Sequence, residues 1–268
     1  MNKYMEANRA WWKAITPLHL GPGEIYDLPA LRAGGSSLLC FERELLGDVS
    51  GKRLLHAQCH IGIDSISLAR LGAEVVGVDF CEEAMGAARQ LAGECNVPVR
   101  LLCGNIVDLP DYLDATFDIV YAGYGVLCWI PDLVRWFRVL TERLVPGGIL
   151  VVIDGHPICD SLETDEANGP YFARGYFPGP EPECYTTDGD YHNWEEKFNM
   201  PTYEWIHPMS EILNAAIGAG LVIETVREYA EGFHTRYAGM VEGEDGLFRL
   251  PPEQAKFPLT FALRARKS

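Results

Sequence analysis

The stretch LLHAQCHIGIDSISLARLGAEVVGVDF, residues 54–80, decides the fold. An apolar strand pattern over 53–57 runs through a short turn into a helical pattern opened by Gly62. That helix stops at Gly72, and EVVGVD over 74–79 forms a second buried strand ending in an acid. Strand, turn, helix and strand make one βαβ unit, which places the turn and Asp79 at the same carboxyl edge of a parallel sheet, where ligands of open α/β folds bind. Gln58, Cys59, His60, Ile61 and Gly62 are therefore expected to line a site. Gly62 is the firmest of them, because a backbone turning directly from strand into helix needs a positive φ or close approach. Asp79 follows Gln58 by 21 positions, a spacing that suits a carboxylate taking both hydroxyls of a ribose. A diphosphate cradle would be written G-x-G-x-x-G, and Gln58 and His60 stand where its glycines are wanted. The expected ligand has an adenosine-like ribose and no diphosphate, which weighs against a nicotinamide cofactor.

The same alternation continues outward. Strand patterns occur at 98–103, 117–122 and 149–154, separated by helical segments such as EEAMGAARQLAGE and DLVRWFRVLTERL, the latter stopped by VPGG. Short apolar strands alternating with helices predict a doubly wound, Rossmann-like α/β fold around a mainly parallel sheet. A helix pattern at 208–219 and strand patterns at 221–228 and 258–266 predict an antiparallel C-terminal edge, for seven strands in all. The expected organisation is an N-terminal helical cap over 1–50, a ligand-binding core over 51–155, an aromatic, Pro- and Gly-rich insertion over 156–207, and a C-terminal completion of the sheet over 208–268. The insertion is too long for a plain connection and too aromatic for disorder, which suggests a lid or substrate cover.

Composition narrows the ligand. The chain has 268 residues, 48% of them hydrophobic, enough for one sizeable core, and a net charge of -16. That charge opposes nucleic acid and anionic membrane surfaces as partners, since both demand clustered Lys and Arg. The eight cysteines form no C-x-x-C pair, so they read as buried small hydrophobes in a reducing compartment, with no metal expected. No apolar run reaches the length of a membrane span and the N-terminus lacks a signal-peptide core, so a cytoplasmic location is expected.

Several segments together carry a family resemblance. Residues 54–80 look like the first two motifs of the class I S-adenosylmethionine (SAM)-dependent methyltransferases, usually L-D-x-G-C-G-x-G followed by V-x-G-x-D. CGNIVDLP (103–110), FDIVYAGYGVLCWIPD (117–132) and LVPGGILVVID (144–154) resemble the next three segments in the same order. The departures are His56 for the usual acid, and Gln58 and His60 for two glycines. A Q-C-H-x-G loop of this kind resembles one branch of small-molecule methyltransferases.

The resemblance implies SAM as cofactor, with Asp79 on the ribose, Phe80 beside the adenine, and Gly104, Asn105 and Ile106 around the adenine. Tyr124 and Gly125 would stand near the methionine moiety and the transferring methyl. It implies methyl transfer to an O, N or S atom of a small molecule, as in secondary metabolism. The alternatives are non-methyl-transfer chemistry on the same cofactor, or a non-catalytic regulatory role. Candidate catalytic residues are His156, His207 and Tyr124, the histidines because imidazole titrates near neutrality. Trp11, Trp12, Tyr26, Tyr171, Trp194 and Tyr203 are candidates to enclose the acceptor, whose expected character beside so acidic a protein is neutral or cationic. The protein is expected to act as a monomer or homodimer.

Overall fold

The structure, a computed structural model, describes residues 3–22, 25–165, 169–186, 192, 198–237, 239–254 and 256–268. Three helices precede the sheet: α1 (Lys3–Ile15), α2 (Leu28–Arg32) and α3 (Cys40–Leu46). The core then alternates as β1 (Arg53–Ala57), α4 (Ile63–Arg70), β2 (Glu74–Asp79), α5 (Glu82–Glu94), β3 (Arg100–Cys103), β4 (Phe117–Gly123), α6 (Leu133–Glu142) and β5 (Leu144–Gly155). Two antiparallel pairs follow, β6 (Leu162–Asp165) with β7 (Gly169–Phe172), and β8 (Glu183–Thr186) with β9 (Pro201–Glu204). Helix α7 (Met209–Gly218) and β10 (Leu221–Tyr229) return the chain to the core. Three two-residue strands come next, β11 (Glu231–Gly232), β12 (Val241–Glu242) and β13 (Phe248–Arg249), and β14 (Thr260–Lys267) closes the chain.

The main sheet has seven strands in the order β10-β14-β5-β4-β1-β2-β3. Strands β1 to β5 pair parallel and β14 runs antiparallel to both β5 and β10, the expected Rossmann-like architecture with its antiparallel edge. Chain order reverses between β1 and β4, so the crevice at a switch point opens beyond Ala57 and Gly123. Both faces of the sheet are covered. Trp136, Phe137 and Leu140 of α6 pack on one with Ile212 and Ala216 of α7, and Phe41, Leu45 and Leu68 of α3 and α4 pack on the other. Central strands buried on both sides explain why VVGV and ILVVI read as continuous apolar runs rather than alternating ones. No helix among the described residues is long and apolar enough to cross a membrane.

Candidate active site

A cleft of about 600 Å³ opens over the carboxyl ends of β1, β2, β4 and β5, within the size range of small-molecule sites. Its floor is the turn that replaces a glycine loop. Gln58 has φ 56° and His60 φ 48°, alongside Gly62 at 74°. The two bulky residues thus keep the left-handed backbone that glycine adopts freely, at a cost of roughly 1 kcal/mol or more each. Their side chains hold them there. Gln58 donates from Nε2 to the Val126 carbonyl (3.0 Å) and accepts at Oε1 from the Trp136 indole (2.9 Å), tying the turn to the segment after β4. The His60 ring lies 3.1 Å from a His19 nitrogen and packs on Trp12 and Tyr26. Burial, then the neighbouring His19 and His192, holds His60 well below the usual histidine range, so it is neutral. At Gly62 an added Cβ would meet the Ala88 Cβ at 3.0 Å, so the third position has no room for the same exchange.

Asp79 is set against this turn. Its Oδ2 accepts from the His60 amide (3.0 Å) and its Oδ1 from the Cys81 amide (2.9 Å). Burial raises its carboxyl to about 6, against the lowering effect of those amides. Each oxygen keeps a lone pair for a further donor. A second carboxylate, Asp154 at the end of β5, organises the segment after β4. It accepts from the amides of Gly125 (2.5 Å), Val126 (3.0 Å), Leu127 (2.9 Å) and Gly155 (2.8 Å). Sequence reasoning passed it over, although ILVVID ends a buried strand in an acid as EVVGVD does.

Beneath the cleft lies a buried polar group the sequence did not announce. Asp64, in the first turn of α4, faces the cleft and accepts from Ser37 Oγ (2.5 Å). Behind it Glu42 is fully buried. Tyr121 donates to its Oε1 (3.1 Å), and its Oε2 has no partner among the described residues. Desolvation, then the Asp64 charge, raises Glu42 from 4.5 to about 8. His56, at the position of the family's usual acid, is buried, bonds Ser65 through Nδ1 (2.8 Å), and is pushed down to about 3 by desolvation.

The candidate residues divide clearly. Gln58, Cys59, His60, Asp79, Phe80, Tyr124, Gly125, Trp12, Tyr26 and His207 all line the cleft. Gly62, Gly104, Asn105 and Ile106 do not. The Tyr112 ring sits where a Cβ on Gly104 would be (2.5 Å), Asn105 Oδ1 caps the following turn by accepting from the Val107 amide, and Ile106 is packed in the core. His156 is also off the cleft wall. Its Nε2 pairs with Glu228 (2.8 Å) and its Nδ1 accepts from the Ile158 amide (3.1 Å), so both nitrogens are spent on structure. His207 reaches the cleft, but its Nε2 donates to the Ile130 carbonyl (2.7 Å) and its Nδ1 faces Glu211 (3.4 Å). Tyr124, itself at φ 61°, turns its hydroxyl to Glu42, and burial followed by the Glu42 charge holds the phenol well above its usual range.

Among the aromatic candidates, Trp11 is buried and stacked on Trp129 (5.9 Å), Tyr203 packs on Tyr4 (4.9 Å), and Tyr171 is exposed and bonds Glu163. Trp194 lies outside the described residues. The residues that sequence reasoning missed at the wall are Asp154, Asp64, Asp160, Arg236 and Glu204. Glu204 stands three positions before His207 in YEWIH, at the return from the insertion.

Fold and cleft together have the Rossmann-like methyltransferase architecture, with a crevice at the β1/β4 switch point. Comparison with known proteins finds similarity to methyltransferases. Residues 55–152 match the family described as a methyltransferase domain. The chain is 29% identical over 152 residues to a ubiquinone biosynthesis O-methyltransferase of Alkalilimnicola ehrlichii, and 34% identical over 154 residues to one of Xanthomonas oryzae pv. oryzae. Each match covers 56% of this chain and 56% or 58% of the relative, so the chain spans little more than half the length of these curated relatives. Among solved structures, a SAM-dependent methyltransferase from Mesorhizobium loti aligns with a TM-score of 0.59 at 23% identity, over 89% of this chain and 96% of that one. Magnesium protoporphyrin IX methyltransferase from Synechocystis with bound SAM aligns at 0.55 and 14% identity, over 100% and 99%. At these identities the likeness is one of fold.

Proposed function

We propose that this chain binds SAM in the cleft and transfers its methyl group to a small-molecule acceptor, using the Q-C-H-I-G turn as its cofactor loop. The observation that carries the reading is charge. Of the described residues lining the cleft, seven are carboxylic acids (Asp27, Asp64, Asp79, Asp154, Asp160, Glu204 and Glu242) and one, Arg236, is a fixed cation. Such a wall favours a cationic ligand and opposes a dinucleotide phosphate. The residues fit SAM part by part. Asp79, oriented by two backbone amides, would take the ribose hydroxyls, and Phe80 would cover the base. Asp64, backed by Glu42 and the Tyr124 hydroxyl, would take the methionine ammonium, a role the glycine-poor turn leaves to side chains. Bound there, SAM supplies a methyl already activated on a sulfonium, so the chain has only to align, dry and deprotonate.

Those tasks have visible agents. Asp154 fixes the segment 125–127 through its amides, and Gln58 clamps the same segment to the turn, so two loops on neighbouring strands move as one. Trp12 and Tyr26, brought over His60 by the N-terminal segments, exclude water from the turn. The names of the curated relatives support an acceptor that is a small molecule methylated on oxygen. The test is calorimetric titration with SAM and S-adenosylhomocysteine, followed by incorporation of labelled methyl across an acceptor panel. Micromolar binding with stoichiometric S-adenosylhomocysteine release is the expected result. Binding without turnover on any acceptor would support a regulatory role instead, and binding of a nicotinamide dinucleotide in its place would overturn the reading.

A further inference from the structure

We propose that Glu204 takes the proton from the methyl acceptor, and that this acceptor is a planar ring carrying the hydroxyl to be methylated; the proposal rests on the methyl-transfer reading above.

Glu204 ends β9, and the chain on either side of it is held in place. Tyr203 exchanges both backbone groups with the side chain of Asn8, accepting from Nδ2 (2.7 Å) and donating to Oδ1 (2.8 Å). The Trp205 amide donates to the Cys128 carbonyl (2.8 Å), in the segment after β4. The insertion therefore carries one acid back to the cleft on backbone pinned to α1 and to the β4 loop, and rigid support of this kind is what a functional side chain requires.

The Glu204 carboxylate itself has no hydrogen-bond or ion-pair partner among the described residues. The cations around it are committed elsewhere. Arg236 pairs with Asp160 (2.6 Å), while Arg174 pairs with Glu163 (2.8 Å) and donates to the Tyr185 hydroxyl (2.6 Å). On the strand opposite, Glu183 is its register partner, and Cys128, His207 and His234 line the same cleft. Burial, then the Asp160 charge, raises Glu204 to about 7, against the lowering effect of Arg236 and Arg174. A base of that strength is matched to proton removal at neutral pH. The other candidates are engaged elsewhere: His207 holds the Ile130 carbonyl, His156 holds Glu228, and burial keeps the Cys128 thiol well above its usual range.

Position separates this acid from the cofactor end. Asp79 tops β2 and Asp154 tops β5, three strand spacings apart, about 14 Å. Asp160, Arg236 and Glu204 lie past the β5 end, and Trp129, Trp205 and Phe233 line the cleft with them. Flat aromatic walls select a planar body. In the transfer the acceptor O–H bond breaks and its proton goes to the Glu204 carboxylate. The electron pair on oxygen forms the bond to the methyl carbon while the carbon–sulfur pair stays on sulfur, leaving a neutral thioether. The carboxylic acid returns its proton to solvent once the ether leaves.

The test compares the full-length protein with Glu204→Gln and Glu204→Asp, using 4-nitrocatechol as the probe because its neutral and anionic forms differ in visible absorbance. S-adenosylhomocysteine affinity and thermal midpoint are measured first: the affinity should be unchanged by Glu204→Gln and the midpoint should not fall. With S-adenosylhomocysteine bound, the Glu204 carboxylate competes with the probe for one proton, so bound 4-nitrocatechol should ionise at a higher pH in the wild-type protein than in Glu204→Gln. In turnover, Glu204→Gln should lower kcat by about 100-fold or more with KM little changed, recover as pH rises towards the phenol's own ionisation, and be partly rescued by Glu204→Asp. An unchanged kcat, a bound probe that ionises at the same pH with and without Glu204, or methylation of amines but of no phenol would each overturn the proposal. A wild-type protein that binds neither SAM nor S-adenosylhomocysteine would instead overturn the methyl-transfer reading beneath it.

Discussion

Replacing Glu42 by Gln should stabilise the protein, and by an amount that grows with pH. Glu42 is fully buried with one oxygen unpartnered, and desolvation, then the Asp64 charge, raises its carboxyl from 4.5 to about 8. Between those values the native state holds a proton that the unfolded chain has released, so stability falls as pH rises, by about 1.4 kcal/mol per pH unit. Across the interval the loss reaches roughly 5 kcal/mol, complete once pH passes the folded value of about 8. Gln keeps the shape and the bond from Tyr121 but has no proton to lose. The difference in unfolding free energy between Glu42→Gln and wild type should therefore be small near pH 4.5 and widen steadily to pH 8. Taking the difference cancels the opposing contribution of His56, whose stabilisation is lost as pH falls from 6.5 through about 3. Urea unfolding curves for both proteins without ligand, at half-unit steps from pH 5 to 8.5, supply the measurement. A difference that stays flat with pH would show that Glu42 is ionised in the native state and would refute the reasoning.

Three further outcomes follow from single contacts. Gln58→Gly should be more stable than Gln58→Ala by roughly 1 kcal/mol, since both lose the Val126 and Trp136 bonds but only glycine sheds the strain of φ 56°; equal stabilities in urea melts would mean the turn carries no strain. Asp154→Asn leaves at least one of four backbone amides facing another donor, and should cost about 2–4 kcal/mol and weaken S-adenosylhomocysteine binding; an unaltered unfolding midpoint would contradict the count. Asp79→Ala should weaken S-adenosylhomocysteine at least about tenfold in a folded protein, and calorimetry showing wild-type affinity would remove Asp79 from the site.

Strand and helix periodicity made the core legible because each element there answers to local rules. The helix EEAMGAARQLAGE spans its observed limits of Glu82–Glu94, with acids at its positive end and four alanines on its buried face. Ends were less legible where pairing partners decide them. β5 runs from Leu144, five residues earlier than its apolar run suggests, because VPGG continues it as exposed strand. The turn under the cleft was legible in the positive φ of Gly62, which shapes it without lining the cleft, and in Asp79, which ends β2 at the wall. The Gly104–Ile106 segment was legible as a turn, since Gly-Asn is strong turn chemistry and Tyr112, seven residues on from Asn105, donates to its carbonyl.

The half of the cleft proposed for the acceptor was the least legible, for a physical reason. A histidine is conspicuous in a sequence, yet what fits it for proton transfer is a free nitrogen, and that depends on partners supplied from elsewhere in the chain. Glu228, 72 residues from His156, and the Ile130 carbonyl, 77 from His207, take those nitrogens. Glu204 shows the converse. Nothing near it in sequence marks it, but Asn8, Cys128, Asp160 and Arg236 arrive from four separate segments to hold its backbone, charge its surroundings and occupy the nearby cation. Half-buried in the cleft wall, the Glu204 carboxylate keeps its lone pairs for a ligand. Asp64 at the cofactor end and Glu204 past the β5 end are distinct sites, so S-adenosylhomocysteine and a phenol should stabilise the protein additively rather than compete.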